Sequence, residues 1–169
     1  MGKKVVYIGL IALCVSGFSL SYAYGEDLPS GVKVAVEFKM VCAGAGQSDC
    51  RKAAMLDNHE ELYVVNSPFL LTKDIVAAKI KPDSNAIDLQ FTTEGTQKFN
   101  EVTSKNAGRR MAIFVDGSLL ATPKISDPVT SGKITITSSL TNEEAKALVG
   151  RINKATTTIK KKPVSSFLK

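Results

Sequence analysis

Alternating apolar and polar residues predict short β-strands in several parts of this 169-residue chain. In residues 34–41 every second side chain is apolar, while Glu37 and Lys39 face the opposite way, as in a strand with one buried face. Residues 86–91 and 133–138 repeat this period of two. These three segments are therefore predicted as half-buried strands.

The most apolar segment of the later chain, residues 109–115, predicts a central strand that is covered on both faces. Asp116-Gly117 follows it and is typical of a two-residue hairpin turn. The return strand, residues 118–125, contains Pro123, which indicates an edge or a bulge. Apolar runs at 62–65 and 69–72 flank Pro68 and predict either one broken strand or two short strands.

Two helices are predicted from capping signals and a helical period. The first covers residues 93–106, with Thr92 or Thr93 as its cap and Gly108 as its stop. The second begins at a capping box between Thr141 and Glu144. Its buried stripe is predicted at positions i, i+3, i+4 and i+7, namely Ala145, Leu148, Val149 and Ile152.

This order of elements predicts an α+β fold, a mostly antiparallel sheet with two helices on one face. We divide the chain into a signal peptide (1–25), an N-terminal strand region (26–73), a main domain (74–155) and a basic flexible tail (156–169). Residues 74–80 are predicted as a helical turn that leads into a strand.

The N-terminus has the features of a secretory signal: Lys3 and Lys4, an apolar run at 5–15, and a small, polar stretch before Glu26. Cleavage after Ala23 and cleavage after Gly25 both fit, and we favour Gly25. The expected location is periplasmic. The alternative is an uncleaved segment that anchors the chain in the inner membrane, and membrane contact is expected only in that case.

Charge and cysteine content narrow the function further. The net charge of +6 becomes +4 without Lys3 and Lys4, and the basic residues are not interleaved with aromatics as in a nucleic-acid interface. Cys42 and Cys50 form an even pair, which predicts a disulfide in an oxidising compartment. Free thiols or a metal site are the alternative, although ligand partners at suitable spacing are missing.

One block resembles the periplasmic P1 head of SecD, an accessory subunit of the Sec protein translocase. It runs from Leu89 through Phe99, Asn106 and Gly108 to Asp116-Gly117, in the pattern FT..G...F...T..N.G...AI..DG. The pattern continues with Ala121-Thr-Pro123-Lys-Ile125, with Gly132, and with Glu143-Glu144-Ala145. Upstream, Val36-Glu37-Phe38 and Leu70-Leu71-Thr72 are similar to the strands that lead into the head.

The resemblance implies a ferredoxin-like head that contacts extended or newly exported polypeptide. Ser131 and Ser138 stand where the family has glycines. The family continues into transmembrane helices that couple proton flow to head movement, and we expect this chain to lack them, since it ends at Lys169. The resemblance therefore implies binding by the head rather than translocation by this chain alone.

Other candidate residues have simpler explanations than catalysis. His59 is the only histidine and lies in a polar stretch without a nucleophile motif. Glu143 and Glu144 are expected to cap a helix, Arg109-Arg110 to flank a strand, and Lys160–Lys162 to be solvated. We therefore expect no enzymatic activity, no cofactor, no metal and no small-molecule substrate.

Two binding functions remain from the sequence. The first is an exported domain that contacts polypeptides at its sheet edge or in a groove beside it. The alternative is an inhibitor, an immunity-type protein or an envelope-complex subunit that binds one folded partner, with the loop from Cys42 to Cys50 as the presented feature. The binding residues themselves are not predicted.

Overall fold

The computed structural model describes residues 34–44, 47–55, 61–82 and 84–161. Nine strands and two α-helices form in this part of the chain, with a 3-10 turn at Thr72–Asp74. In order they are β1 (Val36–Met40), β2 (Cys50–Met55), β3 (Glu61–Val65), β4 (Leu70–Leu71), β5 (Ile75–Ile80), β6 (Ile87–Phe91), α1 (Thr93–Lys105), β7 (Met111–Val115), β8 (Ser118–Ala121), β9 (Lys133–Ile136) and α2 (Asn142–Lys161).

The strands pair antiparallel throughout, in three sheets. The largest sheet has the order β4-β1-β7-β8, a second has the order β5-β6-β9, and β2 and β3 form a separate hairpin. α1 packs against β4 and β6, while α2 packs along β5. The predicted α+β class with antiparallel strands and two helices is confirmed. The strands form several sheets and not one, because β5 pairs with β6 and does not continue the sheet of β4 and β1.

One hydrophobic core joins the two larger sheets and both helices. Phe38 of β1 and Phe99 of α1 are fully buried in it, and their ring centroids lie 6.1 Å apart in an edge-to-face arrangement. Ile152 of α2 closes the core from the side of β5. Burial of each such side chain contributes about 1.5–3 kcal/mol, so these contacts dominate the stability of the fold.

β7 lies in the interior of its sheet, as its apolar sequence predicts. Met111 and Ile113 face the main core, whereas Ala112 and Phe114 face a second, smaller cluster. The β2–β3 hairpin covers that second face with Leu62 and Val64. β7 is therefore covered on both faces.

Local capping fixes both helix starts where the sequence indicates them. The Thr92 hydroxyl accepts a hydrogen bond from the Gly95 amide (3.0 Å) at the start of α1. At α2, the Thr141 hydroxyl accepts from the Glu144 amide (3.3 Å), and Glu144 accepts in return from the Thr141 amide (2.8 Å). This reciprocal pair is the predicted capping box.

Three sequence-based expectations require correction. The prediction of a flexible tail from Thr156 onwards is wrong for residues 156–161. There α2 continues, and Ala155 and Thr156 are buried. The division at residue 73 falls within one sheet, since β1 pairs with both β4 and β7. Lys39, expected on a solvated face, is buried because the β2–β3 hairpin covers it.

Candidate functional site

β8 forms one edge of the four-stranded sheet. Among the residues that the structure describes, no strand pairs with its outer side. The pairing of β8 with β7 is interrupted: Ile113 lies opposite Ala121 and Phe114 opposite Leu119, which leaves Leu120 without an opposite residue. Such a bulge bends the strand and re-aims its side chains, so Leu119 and Leu120 are both half-buried.

An open cleft of about 400 Å³ lies between this edge and the start of α2. Its apolar lining comes from two distant parts of the sequence, Leu119 and Leu120 of β8, and Leu140 and Leu148 around the start of α2. Leu120 also packs against the main core, and Leu119 against the second cluster. The floor of the cleft is therefore continuous with both packed regions.

The charged residues at the rim of the cleft already have partners within the chain. Asp116 forms an ion pair with Arg151 of α2 and accepts a hydrogen bond from the Ala35 amide (2.8 Å). Glu144 accepts from the Thr141 amide and hydroxyl, and these bonds hold the pKa of its carboxyl below the ordinary value. The cleft thus presents apolar surface inside a rim of internally paired charges.

Another exposed sheet edge is blocked by a side chain. The Asn153 amide group accepts from the Ala78 backbone amide (2.8 Å) and donates to the Ala78 carbonyl (2.9 Å). These two bonds imitate a neighbouring strand and occupy the outer side of β5. The apolar cleft lies beside the other edge, that of β8.

Cys42 and Cys50 lie at opposite ends of the loop that joins β1 to β2. Their sulfur atoms are at bonding distance, and their Cα atoms are 6.4 Å apart. The hairpin that follows covers Lys39, whose Nζ lies 3.1 Å from a Glu37 carboxylate oxygen and 6.0 Å from the centroid of the Phe114 ring. The loop therefore holds the hairpin at the face of the sheet where Lys39 is buried.

The other candidate residues that the structure describes form contacts with neighbouring side chains or are exposed. Arg109 donates to the Asn106 side chain (2.6 Å) and Arg110 to the Thr122 hydroxyl (2.7 Å), so both fasten the start of β7. Glu143 and Lys160 are exposed on α2. His59, Lys162 and the predicted signal peptide lie outside the described residues.

Two features are absent from the described residues. No group of His, Cys, Asp or Glu side chains there is arranged to hold a metal ion. No helix there is long and apolar enough to cross a membrane.

Sequence reasoning did not find the cleft. Leu119 and Leu120 belong to β8 and Leu140 precedes α2, and nothing in their local sequence shows that they meet. The one available signal was Pro123, which predicted an irregular edge in this part of the chain.

The fold and its cleft define an α+β domain of antiparallel sheets with an apolar cleft at a sheet edge. The model of the SecDF P1 head subdomain family matches residues 48–155, which is more than half of the sequence. The chain belongs to this family, as its sequence resemblance predicts.

Relatives agree with this assignment. Residues of this chain are 35% identical over 100 positions to protein translocase subunit SecD of Acidaminococcus fermentans, covering 57% of this chain and 23% of that protein. They are 31% identical over 131 positions to SecDF of Thermus thermophilus, covering 68% of this chain and 18% of that protein. The chain thus spans about a quarter or less of the length of these curated relatives.

Solved structures of SecDF have the same fold. One, of a membrane component that enhances protein export, matches with a TM-score of 0.56 and 26% identity, over 73% of this chain and 63% of that chain. Another, SecDF in a super-membrane-facing form, matches with a TM-score of 0.57 and 25% identity, over 73% of this chain and 19% of that chain.

Proposed function

We propose that this chain is an exported, non-catalytic binding domain that contacts extended or newly exported polypeptides in the periplasm. The observation that carries the proposal is the apolar cleft beside β8. Membership of the SecDF P1 head family supports it, because the matched relatives are translocase subunits. The N-terminal pattern of residues 1–25 supports export by a cleavable signal.

The cleft suits a polypeptide whose sequence is not fixed in advance. Its lining is apolar, and its rim charges Asp116, Arg151 and Glu144 are paired within the chain, so it demands no particular charge from a ligand. An extended segment also brings main-chain groups to the unpaired side of β8, where hydrogen bonds add affinity without sequence preference. The bulge at Leu120 restricts such pairing to a short stretch.

The position of the cysteines supports a disulfide between Cys42 and Cys50 in the mature protein. Export delivers the chain to an oxidising compartment, where such a bond persists. The bond then fixes the loop before the β2–β3 hairpin.

The proposal is tested by photo-crosslinking in cells that export proteins. A photoreactive amino acid replaces Leu120 in the cleft, and in the matched control it replaces Thr157 on the exposed side of α2. We expect the Leu120 position to trap many different exported chains and the Thr157 position to trap few. Equal yields at both positions would contradict a polypeptide site in the cleft, and one stoichiometric adduct would support a single folded partner instead.

Affinity in solution provides a second measurement. A fluorescently labelled, permanently unfolded polypeptide is titrated with wild-type protein and with Leu120→Gln. Since Leu120 is half-buried before binding, its substitution is expected to weaken binding about 3- to 10-fold, less than for full burial of a leucine. The control variant Thr157→Gln is expected to bind like the wild type.

A further inference from the structure

The positive charge of the chain is concentrated in its last segment. Residues 1–144 contain 15 Lys and Arg and 16 Asp and Glu, a net charge of −1. Residues 145–169 contain 7 Lys and Arg and no acidic residue, a net charge of +7, so the two segments together give the +6 of the chain. Such asymmetry indicates interaction with a polyanionic surface.

The structure shows that these charges on α2 are not neutralised within the chain. Lys146, Lys154, Lys160 and Lys161 are exposed, and none of them forms an ion pair with a described residue. Arg151 is the exception, since it is paired with Asp116. α2 therefore presents four unpaired cations to solvent.

Of the described lysines outside α2, several are paired, whereas Lys79, Lys81, Lys124 and Lys133 form no ion pair with a described residue. Lys52 of β2 pairs with Glu61, and on α1 Lys98 pairs with Asp74 and Glu94, at 3.1 and 2.9 Å. Lys105 of α1 pairs with Glu101 at 2.6 Å. The acidic residues of α2, Glu143 and Glu144, are confined to its first turn, so what distinguishes the helix is that residues 145–161 contain cations and no carboxylate side chain.

Helix stability does not account for this pattern. Lys160 and Lys161 lie in the last turn, where the helix dipole favours cations. Lys146 lies near the first turn, where the dipole disfavours a cation, and Lys154 lies in the middle of the helix. At 1.5 Å per residue, the lysines extend over about 22 Å along the helix.

The exposed side of α2 lacks the anchors of a protein interface. Protein–protein hot spots centre on buried aromatic or large apolar side chains. Between the lysines, the exposed residues of α2 are small or polar, for example Ala147, Gly150 and Thr157. A diffuse array of cations without apolar anchors fits a surface of many mobile negative charges.

We propose that α2 docks the domain on the surface of a membrane containing anionic phospholipids, through Lys146, Lys154, Lys160 and Lys161. The contact is peripheral and electrostatic, because the exposed side has no large apolar residue to insert. It needs no membrane anchor, in contrast to the expectation that membrane contact requires an uncleaved N-terminal segment. The cleft beside β8 is free to bind a ligand independently.

The experiment measures partition of the full chain, isolated from an exporting host, into vesicles by flotation. One set of vesicles contains phosphatidylcholine with about a third phosphatidylglycerol, and the other contains phosphatidylcholine alone. The readout is the ratio of the two partition coefficients, since any retained N-terminal apolar segment contributes to both. We expect a ratio well above tenfold in low salt that falls towards one in high salt, because salt screens the charges.

Charge-matched variants assign the effect to α2. Lys146→Gln with Lys154→Gln is expected to lower the ratio more than tenfold, since each lysine near an anionic surface contributes about fivefold. The control, Lys52→Gln with Lys105→Gln, removes the same net charge elsewhere and is expected to change the ratio less than twofold. Circular dichroism melts verify that both variants fold.

Three outcomes would overturn the proposal. The first is a ratio near one for the wild type in low salt. The second is an equal loss in both double variants, which would make the effect one of net charge. The third is stronger binding to soluble polyglutamate or to DNA than to anionic vesicles at equal charge concentration, which would identify a different polyanion as the partner.

Discussion

At the scale of single residues, Asp116 connects three parts of the chain. Its backbone has φ 50°, and with Gly117 at φ 79° it forms the tight turn between β7 and β8. Its carboxylate binds the Ala35 amide and Arg151 of α2. One turn residue thus joins the start of β1, the hairpin and the rim of the cleft.

Two substitutions of Asp116 distinguish the contribution of the turn to stability from that of the ion pair. Asp116→Ala is expected to lower the free energy of unfolding by about 1–2 kcal/mol, because alanine disfavours positive φ and cannot accept the Ala35 hydrogen bond. Asp116→Asn is expected to cost less than about 0.5 kcal/mol, because asparagine tolerates this conformation and exposed ion pairs contribute little. Urea unfolding measures both, and equal losses would assign the effect to the Arg151 pair.

The capping box makes stability depend on pH at Glu144. The Thr141 amide and hydroxyl lower the pKa of the Glu144 carboxyl. A depressed carboxyl pKa stabilises the folded state fully above the unfolded value of about 4.3, and this contribution is lost as pH falls through the folded pKa.

Thr141→Ala is therefore expected to raise the Glu144 pKa part of the way to its ordinary value, since the backbone amide donor remains. It is also expected to lower stability by about 1 kcal/mol through loss of the cap. NMR titration of the side-chain carboxyl measures the pKa. The pKa of Glu94, lowered by Lys98, provides the internal control and is expected to stay unchanged. An unaltered Glu144 titration would contradict the role of the hydroxyl.

At the scale of elements, the start of α1 fits against the turn before β5. A Cβ atom on Gly95 would lie 2.6 Å from the Asp74 carbonyl oxygen, closer than any contact between such atoms permits. Thr92 donates its backbone amide to the same oxygen (2.8 Å). The glycine is required because the helix backbone approaches another backbone directly.

Two glycine substitutions are expected to change the stability of the fold in opposite directions. Gly95→Ala lowers stability by about 1–3 kcal/mol, because the clash outweighs the better helix propensity of alanine. Gly150→Ala, in α2, raises stability by about 0.5–1 kcal/mol, because its Cβ meets nothing within 4 Å. Thermal melts of both variants measure this difference. Stabilisation by both would show that α1 can move away from Asp74.

Most elements of the fold could be predicted from the sequence, since their signals are local. The cap at Thr92, the turn at Asp116 and the box at Thr141 each lie within a few residues of the contact they make. β2 was missed because Arg51 and Lys52 are exposed and polar, and that strand exists through its pairing with β3.

The features that could not be predicted depend on distant contacts. Burial of Lys39 needs the β2–β3 hairpin to cover its face of the sheet, and the cleft needs β8 to meet α2. Periodicity within one segment contains no information on either meeting. The end of α2 was predicted too early because Thr156, Thr157 and Thr158 are weak helix formers, whereas burial of Ala155 and Thr156 sustains the helix.

At the scale of the whole molecule, the proposed disulfide restrains the β2–β3 hairpin against the sheet. Cys42→Ala with Cys50→Ala is expected to lower the free energy of unfolding by about 2–3 kcal/mol, as for closure of so short a loop. The comparison is between this variant and the wild type, each with and without a reducing agent. If the reductant leaves the wild type unchanged and both thiols react with an alkylating agent, the disulfide is absent.

The position of β1 between β4 and β7 also sets the order in which the molecule becomes complete. β1 is made early, but its partner β7 begins 75 positions after Val36. At roughly 5–20 residues per second of synthesis, β1 waits about 4–15 s for that partner. During this interval β1 can pair only with the two-residue strand β4, so the edge of β1 that β7 later covers stays open to other strands.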